Sequence, residues 1–297
     1  MRVVVAGGTG TIGSSIVSAL ASSDKHTPII LSRKTSIETN TSVSSTGIEI
    51  RHVDYTSPDS LVPALHDIDA VMSALLIPSP DLITCETNLL HAAEEAGCKR
   101  FAPSSYALHS SCYADVTYDR AKLEVWHRVQ ESVAQGKIDA AMFPCGMLMN
   151  YLDIGCPREK EALAGFKKAP PLFYLAGPNT RINIPVRDGE EHLPDHPSVT
   201  LTDLRDVGKY VVAALELEEP WGGRELGIEG QTIGVGDIAD LYGRFIGPKI
   251  EERRVTVSQF QGMLDVLEGS GDHAAYAGAQ YAIVCGRWKA VVDPVFE

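Results

Sequence analysis

Apolar positions in the first half of the chain follow two alternating patterns. Short runs rich in β-branched residues predict six strands, at Arg2–Ala6, Pro28–Leu31, Ile48–Val53, Ala70–Leu75, Arg100–Pro103 and Ala140–Pro144. Longer amphipathic segments between them predict four helices, at Thr11–Ser22, Pro58–His66, Pro80–Ala96 and Thr117–Ala134. Such alternation is typical of a parallel sheet with helices on both faces and right-handed crossovers. The pattern predicts an α/β fold with a doubly wound parallel sheet.

The last of these helices carries one apolar stripe, formed by Leu123, Trp126, Val129 and Val133. Beyond about residue 150 the pattern loosens, and prolines and charges become frequent. Short strands are predicted near 171–175 and 181–186, and helices at 204–217, 235–245, 257–268 and 273–284. We therefore expect a nucleotide-binding domain over 1–150 and a smaller substrate-binding lobe over 151–297, interwoven with the first domain. The Ser/Thr-rich stretch 35–46 is predicted to be a surface loop.

Charge and hydropathy narrow the class of protein. Among 297 residues, 26 Lys and Arg stand against 39 Asp and Glu, which gives a net charge of −13. Nucleic acid and anionic membranes repel such a polyanion. No apolar run approaches the roughly 20 residues that span a bilayer, and the start MRVVVAGG lacks a secretory signal. We expect a cytoplasmic protein without nucleic-acid or membrane partners, acting on a small molecule as a monomer or homodimer.

The six cysteines are widely scattered, without the spacing of a metal site or a disulfide framework. In an intracellular protein, as expected here, they should be reduced thiols and mostly buried. The nine histidines likewise show no ligand pattern, so no metal is predicted, and His109 is expected to lie on the surface.

The strongest local signal is a glycine triplet directly after the first strand. Gly7, Gly10 and Gly13 stand where a strand turns into a helix. In dinucleotide-binding folds the first glycine permits the tight turn, the second admits a pyrophosphate, and the third lets the helix pack against the sheet. The phosphates then meet N–H groups at the helix start, so Thr9, Thr11 and Ile12 join the predicted cofactor site. The alternative is an ordinary strand-to-helix turn.

The end of the second strand indicates which dinucleotide binds. An NAD site usually carries Asp or Glu there, whereas this chain has Arg33 and Lys34, which suit the 2′-phosphate of NADPH. A solvated basic turn is the alternative. Asp54, after the third strand, is a candidate for the adenine amino group or a turn cap. Ser73 ends the fourth strand, where a small side chain leaves room for the cofactor.

A second group of residues predicts the reaction site. Ser105 follows the fifth strand, and Tyr118 and Lys122 are four residues apart at the start of the next helix, on one face. A lysine ammonium beside a phenol lowers the phenol's pKa, so the pair can exchange a proton near neutrality. The Ser105 hydroxyl could help to hold a carbonyl oxygen. A YxxxK pairing also occurs by chance.

Several of these motifs resemble the isoflavone-reductase-like and NmrA-like branch of the atypical short-chain dehydrogenases. The resemblance covers nearly the whole chain and rests on the glycine turn, Arg33, Lys122 and two segments, Cys98–Ser104 and Thr200–Gly208. It implies NADP(H) as cofactor and a lysine matching Lys122 as the principal catalytic residue. That branch often has PSEFG after strand five, where this chain has PSSYA. Its NmrA-like regulators bind NADP without turnover and tend to lack the Tyr–Lys pair.

The resemblance also implies a substrate pocket beside the nicotinamide. Pro144 begins the loop after strand six and is expected to contact the cofactor. The expected substrate contacts are Ser104, Met147, Asn150 and Tyr151, although core packing explains the last three about equally well. In the Thr200–Gly208 segment, Thr202 or Asp203 is predicted to cap a helix.

These observations predict an NADPH-dependent reductase. Its substrate would be a C=O or activated C=C bond of a small, aromatic or polyketide-like metabolite, with Lys122 and Tyr118 donating the proton or stabilising the oxyanion. Two alternatives stay open: a redox-neutral isomerase, cyclase or dehydratase, and a non-catalytic NADP(H) sensor.

Overall fold

The structure is a computed structural model, and it describes most of the chain. The described residues are 1–33, 41–78, 80–113, 120–153, 158–164, 173–174, 181–189, 197–245, 250–256 and 258–259. The strands are β1 Arg2–Ala6, β2 Thr27–Arg33, β3 Thr41–Val43, β4 Glu49–Val53, β5 Ala70–Ser73, β6 Arg100–Ala102, β7 Asp139–Met142, β8 Met147–Leu148, β9 Phe173–Tyr174, β10 Arg181–Val186, β11 Ser198–Thr202, β12 Arg224–Glu225, β13 Gln231–Gly234 and β14 Glu251–Thr256. The helices are α1 Thr11–Ala21, α2 Pro58–Ala64, α3 Asp81–Glu95, α4 Arg120–Ala134, α5 Glu159–Ala162, α6 Leu204–Leu215 and α7 Val235–Phe245.

The main sheet has eight strands in the order β12-β7-β6-β5-β1-β2-β4-β3. Seven strands run parallel, with β1 between β2 and β5. The strand order reverses at β1, which is the topological switch point of a Rossmann-type sheet. The predicted α/β class and doubly wound parallel sheet are confirmed.

Two apolar cores cover the two faces of this sheet. On one face α1 and α6 pack against each other, and the core includes Val5, Ile16 and Val211. On the other face α2, α3 and α4 pack side by side over a core that includes Val4 and Leu89. Successive residues of β1 thus point to opposite cores, as period-two alternation requires.

The apolar stripe predicted for α4 is confirmed in part. Trp126 and Val129 are buried, while Leu123 and Val133 are partly buried against the same core. Val125, which the predicted stripe left out, is buried too.

The second half of the chain adds two small sheets and returns to the first. One sheet has the order β13-β11-β8 and the other β14-β10-β9. β12 extends the main sheet beside β7, and Gly208 of α6 lies so close to α1 that an added Cβ would be 2.3 Å from the Ser15 carbonyl oxygen. Segments beyond residue 150 therefore help to build the main sheet and its covering helices.

The prediction of a surface loop over 35–46 was wrong for residues 41–43. These residues form β3, which pairs antiparallel with β4. The turn between them closes through a 2.8 Å hydrogen bond from Ser44 N–H to the Ile48 carbonyl, and Gly47 has a φ of +82°. The positive φ suits glycine, so a tight turn forms within the Ser/Thr-rich run. Residues 34–40, most of the predicted helix 257–268 and all of 273–284 lie outside the described residues.

Four cysteines in the described part of the chain are free thiols with buried side chains: Cys85, Cys98, Cys112 and Cys145. Among the described helices, none is both long and apolar enough to cross a bilayer. The described residues contain no cluster of three or more His, Cys, Asp or Glu side chains placed to hold a metal ion.

Candidate active site

The glycine turn has the geometry that the sequence predicts. Gly7 has a φ of +71°, and a Cβ there would lie 2.7 Å from the carbonyl oxygen of Ala74, the residue that follows β5. A Cβ on Gly13 would lie 2.3 Å from the Gly7 carbonyl oxygen. Both positions therefore require glycine, because backbone atoms rather than flexible side chains occupy the space. At Gly10 the nearest atom would be 3.2 Å away.

The start of α1 fits a bound phosphate. Thr9 and Gly10 are exposed, and Gly10 is the N-cap residue, so no side chain caps the first-turn N–H groups. Thr11 and Ile12 are half-buried, and the first turn carries no acidic side chain. An anion placed here would meet the positive end of the helix dipole with no carboxylate competing for it.

The adjoining strand ends carry the predicted adenosine contacts. Arg33 is exposed at the end of β2, which pairs with β1, while Lys34 lies outside the described residues. The carboxylate of Asp54 accepts hydrogen bonds from the Thr56 N–H at 2.8 Å and the Thr56 hydroxyl at 2.7 Å. These bonds lower the pKa of Asp54. They are the contacts of a turn cap, the alternative role considered for Asp54, and its contact with adenine stays a prediction.

The loop after β6 holds two serines in different ways. The Ser104 hydroxyl donates a 2.8 Å hydrogen bond to the Leu75 carbonyl, which ties this loop to the loop after β5. Ser105 is 1% exposed, and its Oγ has no hydrogen-bond partner among the described residues. The contact of Ser105 with a substrate carbonyl stays a prediction.

Lys122 lies in the first turn of α4 and is half-buried. Its positive charge acts on two buried groups at the carboxyl edge of the sheet, Glu86 on α3 and Cys145 after β7, and opposes the rise in pKa that burial causes at both. Lys122 therefore lies near the carboxyl ends of β5 and β7. Tyr118 lies outside the described residues, so its predicted pairing with Lys122 stays a prediction.

Glu86 is a residue of this edge that the sequence analysis missed. It is 1% exposed, and its Oε1 accepts a 2.6 Å hydrogen bond from the Ser73 hydroxyl. The hydroxyl of Ser73, a predicted cofactor residue, is therefore turned toward α3. The signal was present in the sequence, because Glu86 shares a helical face with Leu82, Leu89 and Ala93, which are all buried.

The loop after β7 is built into the core. Pro144 is buried, and its carbonyl accepts a 2.8 Å hydrogen bond from Ile228 N–H. Met147 is 1% exposed and belongs to β8, which pairs with β11. Its observed surroundings are those of the core-packing alternative, and its predicted contact with substrate stays untested.

The amide of Asn150 is used inside the protein. It donates to the Ala162 carbonyl at 2.8 Å and accepts from Leu204 N–H at 2.8 Å, so it links α5 to the start of α6. Tyr151 is half-buried and packs against both apolar cores. Of the predicted substrate residues after β7, Tyr151 is thus the one that keeps an exposed fraction beside the core.

Two further predictions concern the cap of α6 and the exposure of His109. Asp203 caps α6 by accepting a 2.8 Å hydrogen bond from Arg205 N–H, whereas the buried Thr202 hydroxyl donates to the Cys145 carbonyl at 2.7 Å. His109, predicted to lie on the surface, keeps 26% of its side chain exposed. His109 is half-buried with its Nε2 3.3 Å from the Glu225 carboxylate, because β12 returns to the sheet beside it.

The amino-acid sequence matches the NmrA-like family over residues 1–273. The chain belongs to the NmrA-like family. A relative, Oxidoreductase BOA1 of Botryotinia fuckeliana, is 30% identical over 253 residues, which cover 84% of this chain and 77% of that protein. The family predicted from the motifs is confirmed, and so is the predicted class of enzyme, an oxidoreductase.

Solved structures share the fold of this NmrA-like chain. The crystal structure of an isoflavone reductase superposes with a TM-score of 0.72 at 19% identity, covering 99% of this chain and 91% of that one. The complex of leucoanthocyanidin reductase with NADPH from Vitis vinifera superposes with a TM-score of 0.70 at 18% identity, covering 97% and 88%. At such identity the likeness establishes the fold alone.

Proposed function

We propose that this NmrA-like protein is an NADPH-dependent reductase. It transfers a hydride to a C=O or activated C=C bond of a small metabolite, aromatic or polyketide-like in character. The observation that supports the proposal is that the uncapped start of α1 and the charge of Lys122 both lie at the carboxyl edge of a Rossmann-type sheet. Ligands of such sheets bind outside the carboxyl ends of the strands, at the switch point.

The residues at the switch point fit NADPH. The pyrophosphate would lie at the start of α1, over Gly10 and beside Thr9, with the N–H groups of Thr11, Ile12 and Gly13 directed to it. Arg33, exposed one strand away, would hold the 2′-phosphate with its forked donors. The Vitis vinifera leucoanthocyanidin reductase was crystallised with NADPH, which supports the same cofactor here.

Lys122 is assigned the proton chemistry. The bound nicotinamide supplies the hydride. As negative charge develops on the substrate oxygen, the Lys122 ammonium stabilises it or donates a proton to it. Tyr118, four residues earlier, is proposed to share this step. The Ser105 hydroxyl is proposed to help to hold the substrate oxygen, since its Oγ has no hydrogen-bond partner among the described residues.

The substrate is proposed to lie between the main sheet and the lobe formed by residues 151–297. Tyr151 is the proposed contact from the loop after β7. Leu76, which sequence reasoning missed, is 87% exposed on the loop after β5 at the same edge. An exposed leucine beside a cofactor site suits an apolar ring of a ligand.

The test is turnover with a panel of carbonyl and enone compounds, followed by the loss of NADPH absorbance. Lys122→Met should lower kcat by about 100-fold or more, since general acid catalysis contributes roughly that much. Lys122→Arg, which keeps the charge but holds its proton, should recover only part of the rate. Lys137→Met, at an exposed position beyond α4, is the matched control and should leave kcat unchanged.

The outcomes separate the candidate functions. Full activity in Lys122→Met would contradict the proposed role of Lys122. Product formed without net loss of NADPH would show a redox-neutral enzyme, and tight NADPH binding with no turnover on any compound would show a sensor.

A further inference from the structure

A buried carboxyl lies at the end of β5, on the edge of the sheet where the reaction site is proposed. Glu86 reaches from α3 to the end of β5, where its Oε1 accepts the hydrogen bond from Ser73. Its Oε2 is buried and has no hydrogen-bond partner among the described residues. A buried carboxyl with an unpaired oxygen costs free energy, and such a group calls for an explanation beyond packing.

The groups around Glu86 come from several elements. The Ser73 hydroxyl of β5 and the Ser104 N–H after β6 face it, and both favour the ionised form. Tyr106 after β6, Tyr55 after β4 and Cys85 on α3 are also near, and burial raises the pKa of each, so they stay neutral at ordinary pH. Among the described residues, Lys122 is the cation whose charge acts on Glu86.

We propose that Glu86 is a positioning residue of the reductive site, whose protonation is coupled to that of Lys122 and sets how readily Lys122 gives up its proton. An ionised Glu86 stabilises the Lys122 ammonium, and a protonated Glu86 removes that stabilisation. The coupling is reciprocal, because each charge changes the titration of the other by the same free energy. The use of this coupling in catalysis rests on the proposed function.

Burial sets the pH at which Glu86 changes charge. Burial raises the pKa of Glu86 to about 7, against the lowering effects of Ser73, Ser104 and Lys122. The carboxyl therefore changes charge near neutral pH, whereas an exposed glutamate would be ionised throughout. Substrate or cofactor that excludes water from the edge would strengthen the interaction further.

The first experiment needs no substrate. Carbon-13 NMR of glutamate-labelled protein follows each carboxyl against pH, and the Glu86 signal is identified by its loss in Glu86→Gln or its change in Glu86→Asp. The Glu86 midpoint should lie near 7 and rise by about half a pH unit or more in Lys122→Met, because a favourable cation has been removed. Lys137→Met should leave it in place. A midpoint in the ordinary acidic range, or one unmoved in Lys122→Met, would overturn the coupling.

The second experiment measures the pH dependence of kcat on a turned-over substrate. The wild type and Glu95→Gln, at an exposed position on α3, should show an ionisation near pH 7. Glu86→Gln should lack it while its KM for NADPH is unchanged. A profile lowered equally at every pH would indicate a structural role instead. If no substrate is turned over, the proposed function fails, and the NMR titration still decides the coupling.

Discussion

At the scale of single residues, the cofactor site depends on how closely backbone atoms approach. Gly13 lies inside α1, and its hydrogen faces the Gly7 carbonyl. The same turn holds Gly7 at a positive φ against the loop after β5. Gly7 and Gly13 are thus packing requirements of this turn, as well as part of a motif typical of nucleotide binding.

Gly13→Ala should destabilise the protein by about 1–3 kcal/mol, the usual cost of forcing an extra methyl group into a packed site. It should also weaken NADPH binding, because α1 has to move away from the turn. Gly243→Ala is the control, since Gly243 is likewise in a helix and a Cβ there meets no atom within 4 Å. That variant should gain up to about 1 kcal/mol. Urea unfolding of both checks the pair, and equal effects would contradict the packing argument.

Glu86 should also make stability depend on pH. Its pKa is about 7 in the folded protein against an ordinary 4.5, so the folded state holds the proton more tightly than the unfolded state. The contribution of Glu86 to the free energy of unfolding is therefore greatest below pH 4.5. It falls by about 3 kcal/mol as the pH rises through 7. Glu86→Gln should therefore be the more stable protein at pH 8 by an amount of that order.

Thermal or urea unfolding from pH 4 to 8 measures this difference. Glu95→Gln, at the exposed position on the same helix, should follow the wild-type curve. A Glu86→Gln protein that keeps the wild-type pH dependence would show that Glu86 titrates in its ordinary range.

At the scale of elements, the strands and helices of the first half could be predicted because their patterns are local. β1 and α1 end within a residue of the predicted bounds. β3 was missed, because its pairing with β4 depends on the turn over 44–47 rather than on its own apolar pattern.

The site could be predicted only where it lies within one stretch of chain. The glycine turn and Arg33 belong to one strand-helix-strand unit. Whether Asn150 faces a substrate or an interior helix depends on where α6 packs, and Leu204 is 54 residues away in sequence. The apolar face of α3 marks Glu86 as a buried position, but its hydrogen bond to Ser73 joins two elements and leaves no local signal in the sequence.

Arg100 joins three elements, and its loss should be costly. Its guanidinium donates to the Leu215 and Leu217 carbonyls at 2.8 Å, lies 3.5 Å from the Asp139 carboxylate, and stacks 5.0 Å from the centre of the Trp221 ring. Lysine has neither the fork nor the plane to make these contacts together. Arg100→Lys should therefore lower stability by about 2–4 kcal/mol.

Arg128→Lys is the matched control. Arg128 pairs with Glu124 on the exposed side of α4 at 2.5 Å, and such surface pairs contribute little. Its urea midpoint should stay near that of the wild type. A loss in Arg100→Lys no larger than in Arg128→Lys would show that Arg100 does not hold β6 to the end of α6.

At the scale of the whole molecule, the two halves of the chain share one core. Trp221, Leu226 and Val211 fill the face of the sheet that α1 covers, so the nucleotide-binding sheet is completed by residues far along the chain. Residues from both halves of the chain therefore support the carboxyl edge of the main sheet. The chain as a whole has a net charge of −13, whereas Arg33 and Lys122 bring positive charge to the carboxyl edge of the sheet, which suits an anionic cofactor.

Calorimetric titration with NADPH and NADH tests the central claim most directly. The wild type should bind NADPH about 10-fold or more tightly than NADH, since a charged contact with the 2′-phosphate is worth about 1.5–3 kcal/mol. Arg33→Glu should abolish that preference, and Arg128→Glu, on the outer side of α4, should keep it. No heat with either dinucleotide, or a wild type that binds NADH more tightly, would contradict the account.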